Sequence, residues 1–73
     1  MDYSFSFPGS EDRWRSLCRS LADWLPVETK CGVVTVKFSS GAVAMFTRSM
    51  SGHISCQCDH ETVFVILFKF ILD

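Results

Sequence analysis

Apolar residues alternate with polar ones along most of this chain, whereas one segment repeats its apolar residues with a helical period. The N-terminal run YSFSF places Tyr3, Phe5 and Phe7 on one side and two serines on the other. That two-residue period predicts a half-buried strand, which Pro8-Gly9 then ends.

The segment after this strand predicts an amphipathic helix. Ser10 suits the N-cap position, and Glu11 and Asp12 follow it in the first turn, where acidic side chains are favourable. Pro26 ends the helix, because the residue before a proline is pushed out of helical geometry. The apolar stripe of the helix consists of Trp14, Leu17, Cys18, Leu21, Trp24 and Leu25.

The run GVVTVKFSSGAVAMFTR predicts a β-hairpin. Its SSG sequence suits a three-residue loop with Gly41 in the left-handed conformation. This loop sets a register in which one face of the hairpin is wholly apolar. The facing pairs on that side are Phe38 with Ala42, Val36 with Ala44, and Val34 with Phe46.

Two further strands are predicted after the hairpin. Ile54, Cys56 and Cys58 share one side of the first of them. The C-terminal run VFVILFKFIL is rich in β-branched and aromatic residues, which favour a strand. A helix over the same residues is the alternative.

Together these elements predict one α+β domain over residues 1–73. It is a two-layer sandwich, with the N-terminal amphipathic helix packed on an antiparallel meander of about four strands and an extra N-terminal strand as an option. The C-terminal run is too short to span a membrane, which takes about 20 apolar residues.

Size and composition favour self-association. A chain of 73 residues removes only about 60% of its unfolded surface from water, yet 48% of its residues are hydrophobic. The last strand would be apolar on both faces and could lie at a sheet edge, where strands invite pairing. We therefore expect a homodimer whose interface is the outer face of that strand, formed by Val63, Val65, Leu67, Lys69 and Ile71.

A cluster of metal-ligating residue types lies at His53, Cys56, Cys58 and His60. Zinc sites usually take ligands in pairs from tight turns, whereas a Cys-x-Cys pair in a strand sets its two sulfurs about 7 Å apart. We expect these cysteines to face the core, and no cofactor to be required; a zinc-stabilised fold is an alternative. No nucleophile, orienting group and cleft come together in the pattern, so no enzymatic activity is expected.

The net charge of −1 hides an uneven distribution. Residues 13–48 hold six basic and two acidic residues, a local charge of +4 that suits an anionic partner. The residues predicted to bind that partner are Arg13, Arg15, Arg19, Lys37 and Arg48. A nucleic acid such as duplex RNA is the alternative partner.

The sequence as a whole predicts a non-enzymatic interaction module that binds a macromolecular partner, most simply another protein. The start MDYSFSFPGS lacks the features of a secretory signal, so a cytoplasmic location is expected, and the nucleus is the alternative. The small size would suit a virus-encoded accessory protein that antagonises a host factor.

Overall fold

The computed structural model describes residues 3–72, which form a five-stranded sheet and two helices. In chain order the elements are β1 (Tyr3–Pro8), α1 (Glu11–Trp24), β2 (Val27–Lys30), β3 (Val33–Lys37), β4 (Val43–Arg48), β5 (His53–Cys58) and α2 (Glu61–Leu72). The strands lie in the order β1-β5-β4-β3-β2, and every neighbouring pair is antiparallel. Helix α1 therefore carries the chain from one edge of the sheet to the other.

The predicted fold class is confirmed: the molecule is an α+β two-layer sandwich that includes the optional N-terminal strand. Inward-facing residues of the sheet and of both helices form one core. Alternate residues of β3 and β4 face this core, as a strand's two-residue period requires. The fully buried side chains with the largest volumes are Phe46, Leu21, Ile54, Leu67, Val36, Cys56 and Cys58.

Helix α1 begins and ends where the sequence predicts. The amide of Arg13 donates to the Ser10 side-chain oxygen at 3.2 Å, which satisfies one of the free donors of the first turn. The helix stops at Trp24, two residues before Pro26. Its residues Leu17 and Leu21 are buried, whereas Trp24, predicted as part of the core stripe, is 42% exposed.

The predicted hairpin register is also confirmed. Val34 faces Phe46 and Val36 faces Ala44, and the amide of Phe38 donates to the Ala42 carbonyl at 2.9 Å. Gly41 has a φ of 91°, a conformation that glycine adopts at little cost.

The prediction of a C-terminal strand is wrong, because the residues from Glu61 to Leu72 form helix α2. The amide of Phe64 donates to the His60 carbonyl at 2.9 Å, which closes the first turn. A segment that is apolar on nearly every side fits a strand and a helix equally, so periodicity could not separate them. The fourth strand of the meander is instead β2, whose residues VETK carry almost no apolar pattern.

Candidate interaction surface

Apart from Met50 in the turn between β4 and β5, the exposed large apolar side chains of the described residues lie on α2 and at the end of α1. Between 42% and 46% of the surface of each of these residues is accessible to solvent, although helices that are apolar on every side are normally buried. They are Trp24, Val65, Ile66, Phe68 and Phe70. Helix α2 buries Val63, Leu67 and Ile71 in the core and leaves its two flanks open.

The first flank faces α1 and borders a groove of about 300 Å³ between the two helices. We call this the α1–α2 groove; it is lined by Phe7, Arg13, Ser16, Leu17, Ser20, Phe70 and Ile71. The ring centroids of Trp24 and Phe70 lie 4.8 Å apart, and Trp24 also meets the Phe38 ring edge-on at 6.1 Å. Helix α1 contributes two serines to the groove, so its wall there is low and polar.

The second flank faces β1 and forms a cluster of aromatic rings. The ring of Phe5 contacts the rings of Phe64 and Phe68 edge-on, with centroid distances of 5.4 Å and 5.2 Å. The ring of Tyr3 lies 5.6 Å from that of Phe64. These contacts show that Phe64 and Phe68 lie on the β1 side of α2, above an edge strand of the sheet. We call these four residues the β1-side cluster.

The three predicted arginines of α1 do not form one free cationic face. Arg13 turns toward α2, where its Nη2 donates to the Ile71 carbonyl at 3.1 Å, and its guanidinium lies 5.2 Å from the Phe7 ring centroid. Arg15 pairs with Glu11 one turn earlier at 2.9 Å. Arg19 lies exposed on the same helix.

The two predicted basic residues of the sheet lie apart from each other. Arg48 donates from Nε to the Gly9 carbonyl at 3.1 Å and so braces the turn before α1. Lys37 lies on the opposite face of the sheet from the helices, with its Nζ 4.0 Å from a carboxylate oxygen of Glu28. The five basic residues therefore do not converge on a single surface.

The candidate zinc ligands do not come together as one site. Cys56 and Cys58 are fully buried on the helix side, as predicted, whereas His53 and His60 are exposed. Within residues 3–72, no three side chains of the types His, Cys, Asp or Glu come close enough together to hold a metal ion. Burial, and to a smaller extent the nearby Cys58, raise the pKa of the Cys56 thiol to about 12, so this thiol is protonated at neutral pH.

The dimer interface predicted from the C-terminal run requires a correction. Val63, Leu67 and Ile71 belong to the core of their own chain and are not available to a partner. Val65 and Lys69 are exposed, as predicted for all five residues. The error follows from the wrong period: a strand would place residues 63, 65, 67, 69 and 71 on one face, whereas a helix distributes them around its axis.

A second depression of about 320 Å³ lies between α1 and the turn that joins β2 to β3. Its lining residues are Trp14, Arg15, Cys18, Thr29, Gly32 and Val34. Burial raises the pKa of the Cys18 thiol, and a backbone hydrogen bond lowers it less strongly. This thiol is therefore also protonated at neutral pH, the form that is not nucleophilic.

Sequence reasoning missed Trp24 and Phe70 as surface residues, because each fits the apolar stripe of its element. The available signal was the C-terminal run itself, since a segment that is apolar on nearly every side cannot be covered completely by so small a sheet.

Among the residues that the structure describes, no helix is long and apolar enough to cross a membrane. Comparison with protein-family models, curated proteins and solved structures finds no match to this chain.

Proposed function

We propose that this chain is a non-enzymatic interaction module that binds an apolar segment of another protein in the α1–α2 groove. The observation that carries the proposal is the exposure of Trp24 and Phe70 at the edge of that groove, where their ring centroids lie 4.8 Å apart. Exposed apolar residues scattered singly are ordinary, whereas several together on one face typically mark an interaction site.

The groove has the composition of a small binding site. Phe7, Leu17 and Ile71 are buried residues that give it an apolar floor. Ser16 and Ser20 form a low wall on α1, which leaves space for a bulky side chain to enter from above. Tryptophan and phenylalanine at the rim add large contact area, and aromatic residues dominate the energetics of protein interfaces.

The charge beside the groove favours a partner with an acidic group. Arg13 lies at the wall of the groove, and its hydrogen bond to the Ile71 carbonyl uses only part of a guanidinium with five N–H donors. A carboxylate next to the bulky side chain of the partner could accept from the remaining donors. The partner chemistry proposed here is thus an apolar residue flanked by Asp or Glu.

Selection from a displayed library of random peptides tests this proposal. We expect the selected peptides to share a bulky apolar residue beside an acidic one. Ser20→Arg should weaken their binding at least about tenfold, because the long side chain fills the groove without disturbing the core. Ser20 is exposed, so the fold should persist, which circular dichroism can verify.

The matched control is Ala22→Arg, which adds the same side chain at an exposed position outside the groove. Peptide affinity should not change in this variant. Failure to enrich any peptide, or equal loss of affinity in both variants, would show that the groove is not the binding site.

The alternative of a duplex RNA partner has weaker support. Four of the five basic residues that suggested it contact groups of their own chain: Arg13, Arg15, Lys37 and Arg48. Phosphate binding depends on several cations that neutralise the backbone together. A mobility-shift titration with short duplexes at low salt discriminates between the two partners, and a shift that Arg15→Glu with Arg19→Glu abolishes would favour RNA.

A further inference from the structure

The two edges of the sheet differ in a way that bears on self-association. Edge strand β2 has four residues, VETK, and its exposed Glu28 and Lys30 provide the charges that normally block edge pairing. Edge strand β1 has six residues, YSFSFP, with no charge among them. Within residues 3–72, no other segment pairs with the outer side of β1.

Hydrogen bonds at the end of β1 show which of its amides face outward. Gly9 donates to the Gly52 carbonyl at 2.8 Å and continues the register in which Pro8 faces His53. Because hydrogen-bonded pairs alternate in an antiparallel ladder, the amides at positions 7, 5 and 3 also point toward β5. The N–H and C=O groups of Ser4 and Ser6 therefore point away from the sheet.

We propose that two copies of this chain form a homodimer by antiparallel pairing of β1 with β1 of the partner. With Phe5 opposite its own symmetry mate, Ser4 faces Ser6 of the partner subunit. Each serine amide then donates to the carbonyl of the facing serine, and the two-fold axis repeats both bonds. The result is one continuous sheet of ten strands, about 4.8 Å apart across the new junction.

The position of α2 over β1 would place the two copies of this helix side by side in the dimer. Helix α2 packs on both β1 and β5, so its axis lies over the boundary between these strands. The two-fold axis lies half a strand spacing beyond β1, which sets the two copies of α2 about 10 Å apart. Packed helices are separated by about 8–10 Å. The two α2 helices would therefore lie at the distance of packed helices.

The same arrangement accounts for the exposed flank of α2 on the β1 side. Phe68 contacts the Phe5 ring at one edge, yet 43% of its surface is accessible to solvent. In the proposed dimer Phe68 lies between the two helices, together with Val65 and the rest of the β1-side cluster. The interface is short, about 20 Å along the strand. Interfaces that bury less than about 1,200 Å² in total are typically weak, so we expect an affinity in the micromolar range.

Sedimentation equilibrium over a concentration series, with Ser6→Pro, tests the proposal. The Ser6 amide has no partner within its own chain under this register, so proline removes no hydrogen bond of the monomer. It does remove an intermolecular bond at two symmetric positions and blocks close approach of the partner strand. We expect the wild type to dimerise and the dissociation constant of the variant to rise at least about tenfold.

Thr29→Pro is the matched control, because its amide faces outward at the β2 edge under the same alternation. Dimerisation should be unchanged in this variant. Phe68→Lys provides a second variant on a different element and should also weaken the dimer, with native circular dichroism retained. A wild type that stays monomeric up to about 100 μM, well above the expected affinity, or equal effects of both prolines, would overturn the proposal.

Discussion

Arg13 of α1 and Ile71 of α2 are joined by a hydrogen bond of 3.1 Å from the guanidinium to the main-chain carbonyl. The carbonyls of a last helical turn lack partners within the helix, and a cation near them is favourable. The same guanidinium lies over the Phe7 ring, so one side chain connects both helices and the end of β1. Arg13 therefore contributes to the stability of the groove as well as to its charge.

Replacement of Arg13 by methionine should lower the free energy of unfolding by about 1 kcal/mol. The variant keeps the apolar stem but loses the charge-assisted bond, whose strength is reduced by partial exposure to solvent. Urea unfolding of the two proteins measures the difference.

Arg15→Met is the comparison for that experiment. It removes an ion pair with Glu11 in which both side chains are about two-thirds exposed, at 68% and 65%. Such surface pairs contribute about 0.3–0.5 kcal/mol, so this variant should be clearly less affected. Equal destabilisation of the two variants would contradict the role assigned to Arg13.

A close approach at Gly9 leads to a second prediction. A Cβ atom added at this position would overlap Cδ1 of Ile54 and would lie 2.8 Å from its Cγ1, inside the contact distance of carbon atoms. Gly9→Ala should therefore destabilise the fold by about 1–3 kcal/mol, the usual effect of overpacking. Thermal or urea unfolding measures the loss.

Ile54→Val tests the cause of that loss, because it removes the Cδ1 atom that the new methyl group would meet. The double variant should be less destabilised than the sum of the two single variants. If the loss in the double variant equalled the sum of the two single losses, Gly9 would be needed for a reason other than its contact with Ile54.

Burial of Cys56 predicts a loss of stability in alkali. The pKa of this thiol is about 12 in the folded protein, compared with 9.0 for the free group. Between these values the unfolded chain loses the proton while the folded chain keeps it. The unfolded state then binds fewer protons, so stability is constant below about pH 9 and falls toward pH 12.

The measurement is the unfolding free energy of wild type and Cys56→Ala against pH, under reducing conditions. The difference between the two proteins should be constant from neutral pH to about pH 9 and should then fall by up to about 1.4 kcal/mol per pH unit. Cys31→Ala, which removes an exposed thiol, controls for the loss of a cysteine as such. If the unfolding free energy of Cys56→Ala changed with pH just as that of the wild type does, the buried state of Cys56 would be contradicted.

Local sequence signals were sufficient for much of this fold. Ser10 and Pro26 delimit α1 through capping and steric restriction, and Gly41 sets the hairpin register through its turn; each acts over a few residues. The inward position of Cys56 and Cys58 follows from strand alternation. These features could be predicted because no distant part of the chain decides them.

The rest depends on tertiary context. Strand β2 is held by its ladder with β3 and has little apolar pattern of its own, so only the assembled sheet reveals it. Helix α2 is apolar on nearly every side, and its conformation is decided by the space above β1 and β5. The groove was unpredictable for the same reason, since it exists only where two helices from opposite ends of the sequence meet.

Amide hydrogen exchange, measured residue by residue over a concentration series, most directly tests whether the uncharged edge of the sheet is a contact surface. In a dimer paired through β1, protection of the Ser4 and Ser6 amides rises with protein concentration, whereas the Val27 and Thr29 amides at the charged edge stay unprotected at every concentration. Fast exchange of Ser4 and Ser6 at the highest concentration, or equal protection at both edges, would contradict it.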